Sequence, residues 1–557
     1  MSAPPALTLH RRVGGADPVR HGRQAPYRAL TAIDGEPHVV REDLLPGGPG
    51  SLGAAGSSSP DSWRGAAVQP LLCLAHVTDL QLADVQSPAR FEFFNREWAD
   101  PRFSLLVPVQ RPQEALTPHA VDATIRTLNR LAGTPLTGAP LDLVVTTGDA
   151  IDNAQWNELR LMLSLFDGGL VQGRSGGPRY EGVQSVHWPD DVFWRPDGHG
   201  PTGPDLFRAD YGFPHLPGLL ERALDTFRSG GLDVPWLACF GNHEGLIQGV
   251  GAVTGQLHEA LVSGRKPVRL APHVDRDSAY ETFVTGAHAF LDGDHREIAP
   301  DPDRRPVTRQ EFVEAHFGAA ARPRGHGFEQ RNRVDGTAYY AYDLGPIRFI
   351  ALDTTCLTGG ADGGIDRDQL RWLEDQLAQV HRHYQARDGS TVQTGNDDRL
   401  VVLFSHHGIG TLTNRRDPSV VGAAELEAVL HRFPNLVLWL NGHTHTNAVR
   451  PRPDPDQPGR GFWEVTTCAV VDWPCQTRVV ELLDHGEYLS IVTTMVDHDT
   501  PAAPPVALAT SDDLAALHRE LAANVPWDVT VMAGTTADRN VELRVVPPFP
   551  VKYLPGV

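Results

Sequence analysis

The sequence predicts an α/β fold in which buried strands alternate with helices. Three continuous apolar runs, at 71–78, 141–147 and 400–404, are typical of strands that are covered on both faces. Apolar residues recur with helical periodicity in segments such as 119–132 and 366–380. Each apolar run also ends in polar residues, and α/β proteins place their ligands at the carboxyl edge of the sheet. The polar strand ends are therefore the first candidates for a functional site.

Further elements extend the same alternation along the chain. Strands are predicted at 234–240, 436–440, 462–467, 477–482 and 488–496, with a hairpin at 339–352. Helices are predicted at 156–165, 423–431 and 511–523. Two long stretches, about 167–217 and 249–336, interrupt the pattern and are interpreted as insertions. The first of them is either a cap over a site or an excursion without a function.

Composition limits the class of protein. The 557 residues are 41% apolar and 21% charged, which is typical of a globular protein, and the formal net charge is −20. This charge disfavours a nucleic acid or an anionic membrane as the main partner. The five cysteines include no C-x-x-C pair, so neither a disulfide framework nor a zinc knuckle is expected.

The chain divides into three parts by composition. Residues 1–68 are polar and rich in Gly, Ser and Pro, which predicts an N-terminal extension of loop or linker. Residues 69–500 form the main domain, and 501–557 form a C-terminal extension with one short helix. No apolar segment follows Arg11-Arg12, and no run approaches 18 apolar residues. We therefore expect a cytoplasmic protein without a signal peptide or a membrane span.

Five successive strands end in Asp, Asn or His, usually beside a glycine. The five strand ends carry Asp79, Gly148-Asp149, Gly241-Asn242-His243-Glu244, His406-His407 and Gly442-His443-Thr444-His445. Any one of them has an ordinary explanation, because Asp and Asn are common turn residues and His is often a hydrogen-bonded core residue. Their recurrence favours a shared site, and carboxylate, amide and imidazole groups together are typical ligands of Mn, Fe or Zn.

The His-x-His pair at 443 and 445 is weak evidence when it is taken alone. With 25 His in 557 residues, chance gives about one such pair per chain. A second pair, His381 and His383, is interpreted as part of an exposed helix and as solvated surface. The pair after the strand at 436–440 gains its weight from the four other strand ends.

In their order along the chain, these motifs resemble the calcineurin-like metallophosphoesterase superfamily. The hairpin at 339–352, the segment 369–374 and Asp472-Trp473-Pro474 are similar to long bacterial members. The resemblance covers about residues 70–500. It implies two mixed β-sheets packed as a sandwich and flanked by helices, with residues 69–500 as the catalytic domain.

The resemblance also implies roles for individual residues. The metal ligands would be Asp79, Gln81, Asp149, Asn242, His406, His443 and His445, with Asp149 bridging two ions. Asp79 and His445 would hold the first ion, and Asn242, His406 and His443 the second. His243 would approach the substrate without binding metal, and Glu244 would orient it. His407 is the alternative to His406, and the resemblance favours His406.

One position departs from the family pattern. The first motif of the family is Asp-x-His, whereas this chain has Asp79-Leu80-Gln81. An amide oxygen is a weaker metal ligand than an imidazole, so the first ion would be held less tightly, change its identity or be absent. His76 is not a substitute, because strand alternation places it on the opposite face from Asp79.

The resemblance implies hydrolysis of a phosphate monoester or diester, with two divalent or trivalent ions (Mn, Fe or Zn) that activate a water between them. The substrate would be a small-molecule phosphoester, and a cyclic nucleotide or another diester is one case. The alternative, motivated by Gln81, is a degenerate metal-binding scaffold with a regulatory role. The net charge of −20 disfavours a diesterase that acts on DNA.

Overall fold

The computed structural model describes residues 7–48, 70–131 and 133–551. Thirteen strands form its two large sheets and are numbered in chain order. They are β1 Val39–Leu44, β2 Pro70–Val77, β3 Leu143–Thr146, β4 Trp236–Leu237, β5 Tyr340–Leu344, β6 Ile347–Ala351, β7 Leu400–Phe404, β8 Leu436–Asn441, β9 Ala448–Pro453, β10 Gly461–Thr466, β11 Gln476–Asp484, β12 Leu489–Asp497 and β13 Val541–Val545.

Both sheets contain a block of parallel strands. The seven-stranded sheet has the order β1-β13-β12-β11-β2-β3-β4, in which β2, β3 and β4 are parallel neighbours. The six-stranded sheet has the order β5-β6-β7-β8-β10-β9, in which β6, β7, β8 and β10 are parallel. Because parallel strands end at the same edge of a sheet, the segments after β2, β3 and β4 lie together. The segments after β7 and β8 lie together for the same reason.

The two sheets pack face to face. Apolar side chains of both sheets belong to one continuous core. The Trp463 indole of β10 donates to the Arg544 carbonyl of β13 at 3.2 Å, and the Tyr340 hydroxyl of β5 donates to the Ala238 carbonyl after β4 at 2.7 Å. Helices Arg367–Ala378 and Ala423–His431 contribute to a second apolar cluster with side chains of the six-stranded sheet. The predicted sandwich of two mixed sheets flanked by helices is confirmed.

The other elements are short. The α-helices are Thr117–Asn129, Trp156–Phe166, Leu206–Tyr211, Leu219–Ala223, Asn242–Gly245, Gly255–Val262, Ala279–Gly286, Arg309–Ala315, Gln330–Asp335, Arg367–Ala378, Ala423–His431 and Ser511–Ala523. Two-stranded ribbons pair Arg11–His21 with Pro26–Asp34, Gly169–Val171 with Phe227–Ser229, Leu246–Ile247 with Gly251–Ala252, Arg265–Pro267 with His295–Glu297, Ile365–Asp366 with Val420–Val421, and His383–Gln385 with Thr391–Gln393. Part of the first insertion packs on helix Ser511–Ala523 in an apolar cluster that includes Trp194 and Phe207.

The interpretation of residues 1–68 as loop or linker is wrong for Arg11–Leu44. Two strands of this segment form a hairpin, and β1 pairs in parallel with β13. The apolar residues are too few to give a strand signal, but Tyr27 is fully buried and its hydroxyl donates to Glu520 at 3.0 Å. Burial against the distant helix Ser511–Ala523 stabilises the hairpin, which no local pattern indicates. Residues 1–6 and 49–68 lie outside the described residues.

The segment after residue 500 contributes one strand, β13, to the seven-stranded sheet. β13 lies between β12 and β1, and its five residues are buried. The sequence analysis did not predict β13, nor β9, whose sequence Ala-Val-Arg-Pro-Arg-Pro lacks a strand pattern. β9 is at the edge of its sheet, where prolines are tolerated because one row of N–H groups needs no partner in the sheet. The boundary at residue 500 remains a prediction.

The interpretation of His381 and His383 as solvated helix is wrong for His381, whereas His383 is exposed but lies in the short strand His383–Gln385. Helix Arg367–Ala378 ends before His381, whose side chain is fully buried. Its Nδ1 donates to the Leu377 carbonyl at 2.6 Å, and its Nε2 accepts from the Asn435 amide at 3.0 Å. His381 is therefore a hydrogen-bonded core residue.

Two expectations from composition can be compared with the structure. In the described ranges, no helix has both the length and the apolar character needed to cross a membrane. The five cysteines, all of them in described segments, are buried and form no disulfide.

His316 makes stability depend on pH. Burial, with a further contribution from His326, lowers the pKa of His316 from 6.5 to about 3. Between pH 6.5 and 5 the unfolded chain binds a proton that the folded chain excludes, so the free energy of unfolding falls as the pH falls. For this residue the loss is about 2 kcal/mol by pH 5. Phe312 and Phe328 contact its ring, so phenylalanine fits the same space.

We expect His316→Phe to reduce the difference in unfolding free energy between pH 7 and pH 5 by about 2 kcal/mol. Urea unfolding at the two pH values measures this difference. An unchanged difference in the variant would contradict protonation of His316 as its source.

Candidate metal centre

The structure brings the predicted strand ends to one place. We call Asp79, Gln81, Asp149, Asn242, His406, His443 and His445 the seven-residue cluster. Asp79, Gln81, Asp149 and Asn242 follow strands of the seven-stranded sheet, and the three histidines follow β7 and β8 of the six-stranded sheet. Asp149 Oδ2 lies 3.0 Å from His406 Nε2, and Asp79 Oδ1 lies 3.3 Å from His445 Nε2. Two edges of the sandwich therefore share one site.

The backbone of the cluster adopts an unusual conformation. Five of its members have φ in the left-handed region: Asp79 at 52°, Gln81 at 41°, Asp149 at 51°, His443 at 68° and His445 at 54°. The adjacent glycines allow close approach, because a Cβ on Gly442 would lie 2.3 Å from Asp79 Oδ2 and one on Gly241 would lie 2.3 Å from Asp149 Oδ1. The glycines beside the strand ends are thus required by contact between the loops.

Asp149 is the central carboxylate. Its Oδ1 accepts the His243 backbone N–H at 2.9 Å, and its Oδ2 faces the His406 ring. His406 Nε2 is in turn 3.2 Å from His443 Nδ1. Burial opposes charge on His406, but the Asp149 carboxylate outweighs it and raises the pKa of His406 to about 9. The carboxylates therefore favour positive charge at this point.

Three buried side-chain oxygens of the cluster accept no hydrogen bond from any described residue. They are Asp79 Oδ1, Gln81 Oε1 and Asn242 Oδ1. Buried oxygens are normally paired, and each unpaired one needs an explanation. The Asn242 amide nitrogen is held by the Gly249 carbonyl at 2.9 Å, which fixes the side chain. Together with the imidazoles, these oxygens form a donor set that fits borderline divalent metals.

The hydrogen bonds of the two neighbouring histidines favour His406 over His407 as a ligand. His406 Nδ1 donates to the Thr147 carbonyl at 2.8 Å, which turns its Nε2 towards Asp149. Both ring nitrogens of His407 are occupied, by the Thr354 hydroxyl and the Ala361 carbonyl, each at 2.8 Å. His407 lies in a group of three histidines that could hold a metal ion, but those two hydrogen bonds favour His406.

Comparison with known proteins gives a local similarity. No protein-family model matches the chain. Over 123 residues the chain is 30% identical to a probable cyclic nucleotide phosphodiesterase of Fibrobacter succinogenes, a match that covers 21% of this chain and 39% of the relative. A crystal structure of a dimetal phosphatase from Danio rerio aligns with 77% of this chain and all of its own, at 12% identity and a TM-score of 0.35.

The match to a probable phosphodiesterase agrees with the class of protein that the ordered motifs resemble. The resemblance to the calcineurin-like metallophosphoesterases is confirmed. The chain spans well under half the length of the curated relative that it matches.

Two residues that support the seven-residue cluster were not predicted from the sequence. His445 Nδ1 donates to Asp472 Oδ2 at 2.7 Å, and Arg111 Nε donates to Asp472 Oδ1 at 2.8 Å. Burial opposes charge on His445, but the Asp79 and Asp472 carboxylates raise its pKa to about 10. A carboxylate that accepts from the far nitrogen of a ligand histidine fixes the ring and raises its basicity. Asp472 was noticed only as part of a family motif.

We expect Asp472→Asn to weaken metal binding by about 10- to 100-fold. The asparagine can still accept the hydrogen bond from His445, but it lacks the negative charge that favours a polarised ring. Titration of the metal-free protein with Zn²⁺ or Mn²⁺ measures the change. Asp142→Asn, just before β3 and outside the seven-residue cluster, serves as the control. Equal affinities in the two variants would contradict this role.

The structure places His243 and Glu244 differently from each other. His243 is partly exposed, its Nδ1 donates to the Asp152 carbonyl at 2.7 Å, and its Nε2 lies 3.8 Å from Asp149 Oδ2. Glu244 is fully buried and does not contact the His243 ring. Its carboxylate accepts from the backbone N–H groups of Asp149 at 2.8 Å, Ala150 at 2.6 Å, Ile151 at 3.2 Å and Gly241 at 2.6 Å. The expected orienting role of Glu244 therefore falls to the Asp152 carbonyl, and Glu244 joins the loops after β3 and β4.

The environment of Glu244 also changes its acidity. Burial and the nearby Asp149 carboxylate raise the pKa of Glu244 to about 7, while its four backbone N–H donors favour the charged form.

His76, like Glu244, has a structural role, because its two ring nitrogens form hydrogen bonds with the Thr147 and Thr467 hydroxyls. Neither residue is placed to touch a substrate.

Proposed function

We propose that the chain is a metal-dependent hydrolase of small-molecule phosphate monoesters or diesters. The observation that carries this proposal is the convergence of unpaired buried oxygens with three imidazoles at the carboxyl ends of parallel strands. Such a donor set suits two divalent ions, and paired ions are a recurrent device of phosphoester hydrolysis. The local similarity to a probable cyclic nucleotide phosphodiesterase supports the same reaction class.

The ligands divide into two groups around Asp149. Asp79, His445 and Gln81 would hold one ion, and Asn242, His406 and His443 the other, with Asp149 shared. When bound, the ions would supply positive charge to the phosphate oxygens and lower the pKa of a water. Asp472 and the Thr147 carbonyl keep His445 and His406 turned towards the centre.

His243 would act directly on the substrate. Its Nδ1 is held by the Asp152 carbonyl, so Nε2 is the nitrogen that faces the site. In the structure Nε2 lies 3.2 Å from the Gln81 amide nitrogen, which is the distance of a hydrogen bond. When the ring is protonated on both nitrogens, a phosphoryl or leaving-group oxygen within hydrogen-bond distance of Nε2 would receive the Nε2 proton. The ring would be left neutral with its other proton on Nδ1, and this transfer is general acid catalysis.

The test combines metal content with turnover. Metal per chain is measured by mass spectrometry on purified protein, and hydrolysis of an aryl phosphate monoester and its diester is measured with added Mn, Fe or Zn. Turnover that depends on metal supports the proposal, and the preferred ester separates monoesterase from diesterase. Bound metal without turnover of either ester would instead favour the second candidate, a regulatory metal-binding scaffold, which the amide at position 81 motivates.

We expect Gln81→His to raise the affinity for the more weakly held ion by about 10-fold or more, because imidazole is a better ligand than an amide for borderline metals. Metal retained after dialysis, compared with the wild-type protein, measures the effect. Equal or lower retention would mean that residue 81 does not bind metal.

A further inference from the structure

A pocket of about 140 Å³ opens beside His243. The segment 105–109, Val250 and Phe283 form its apolar walls, and Arg111, Gln248 and His243 supply polar groups. Val250 and Phe283 belong to the second insertion, whereas residues 105–109 belong to a loop for which the sequence analysis made no prediction. Apart from His243, the pocket is therefore built from segments outside the five strand ends.

His243 connects this pocket to the metal centre. One edge of its ring is 3.8 Å from Asp149, and the same side chain lines the pocket. A phosphoester with its phosphoryl group at the seven-residue cluster and its leaving oxygen near His243 Nε2 has its leaving group directed into the pocket. Proximity to the proton donor thus identifies which part of a substrate the pocket receives.

One residue of the pocket lining, Gln248, carries an unsatisfied acceptor. Gln248 Oε1 is buried and accepts no hydrogen bond from the described residues. The Gln248 backbone is fixed, because its N–H donates to Asn153 Oδ1 at 2.9 Å and its φ is 50°. A buried amide oxygen without a partner is unfavourable, and a ligand O–H or N–H group towards which the Gln248 side chain turns would pair it.

Size limits the group that fits. An apolar cavity of about 150 Å³ accommodates benzene, whereas sites for drug-sized ligands span about 300–1,000 Å³. Apolar side chains form one part of the wall, but polar groups contribute more than half of the accessible surface, and the volume is close to the lower value. A single six-membered ring fills it, and a fused bicyclic ring exceeds it.

We infer that the pocket binds the leaving group of the substrate and selects phosphoesters of a monocyclic alcohol or phenol that carries a hydrogen-bond donor for Gln248. This inference rests on the proposed function. Val250 and Phe283 would contact the ring of the leaving group, and Gln248 would make the polar contact with its hydrogen-bond donor.

The first experiment compares phenyl phosphate with 1-naphthyl phosphate, whose leaving groups differ mainly in size. The wild-type protein should have a kcat/KM at least tenfold higher for phenyl phosphate. Val250→Phe, which fills the pocket, should lower kcat/KM for phenyl phosphate at least tenfold with unchanged metal content and melting temperature. Val253→Phe is the matched control, because Val253 is an exposed neighbour outside the pocket, and it should resemble the wild type.

The second experiment tests the polar contact with 3-hydroxyphenyl phosphate. Gln248→Leu should lower kcat/KM for this ester about fivefold relative to phenyl phosphate. Equal turnover of phenyl and naphthyl esters, or an unchanged Val250→Phe variant, would overturn the inference and leave the proposed function standing.

A binding measurement separates failure of the inference from failure of the function. If no phosphoester is hydrolysed with any metal, the proposed function fails, and binding of phenol to the protein in EDTA is then measured by saturation-transfer NMR. Phenol binding that Val250→Phe abolishes and Val253→Phe preserves would still support the pocket. Absence of phenol binding would overturn it.

Discussion

Asp149→Asn is expected to reduce phosphoester turnover by about 10³-fold or more and to lower the metal content from about two ions per chain to less than one. The carboxylate lies between the His406 ring and the His243 backbone, in contact with both. Asparagine keeps the size and one acceptor oxygen, so the loops can remain in place. What it removes is the negative charge that two cations would share.

Asp142→Asn is the matched control for this variant. Asp142 lies just before β3, whereas Asp149 follows β3. Among the described residues, the Asp142 carboxylate accepts a hydrogen bond only from the Cys73 backbone N–H. Metal content and kcat/KM should stay near wild type in the control. Full metal content together with full turnover in Asp149→Asn would remove Asp149 from the centre.

His243→Ala is expected to lower kcat by about 10²- to 10³-fold while both ions stay bound, because general acid catalysis contributes rate enhancements of this size. The ring is held through the Asp152 carbonyl and lines the pocket beside it. Its loss removes a contact with Gln81 but keeps the hydrogen bond from the His243 backbone to Asp149. Mass spectrometry of the metal content and steady-state kinetics on the same preparation give the two readouts.

His258→Ala serves as the control for this loss. His258 is exposed on helix Gly255–Val262, in the insertion that also forms part of the pocket wall. Its replacement should leave both readouts unchanged. Loss of metal from His243→Ala would make His243 a ligand and require a different proton donor.

The convergence of the side chains of the seven-residue cluster could be predicted because their sequence signal is local. Each follows a continuous apolar run, and the turn residues beside it, such as Gly148 and Gly442, stand next to it in the sequence. The parallel order of β2, β3 and β4 then brings distant strand ends to one edge. Local pattern and sheet topology together were sufficient for this part of the structure.

The supporting residues could not be predicted because their partners are far apart in the chain. Asp472 contacts Arg111 across 361 positions and His445 across 27, and no spacing indicates such pairs. Glu244 looked like a partner of its neighbour His243, but the short helix Asn242–Gly245 directs it to the loop after β3. β1 and β13 were missed because their burial depends on each other and on β12.

The left-handed backbone of the seven-residue cluster has an evolutionary consequence. A residue other than glycine in this conformation lowers the stability of the folded state by about 1 kcal/mol. Five members of the cluster adopt it, at the ends of regular strands. Glycine at these positions would relieve the strain and remove the side chains. Selection for thermal stability alone would therefore replace residues of the cluster before residues of the sheets. The cluster is the part of the sequence in which local backbone preference conflicts with the fold.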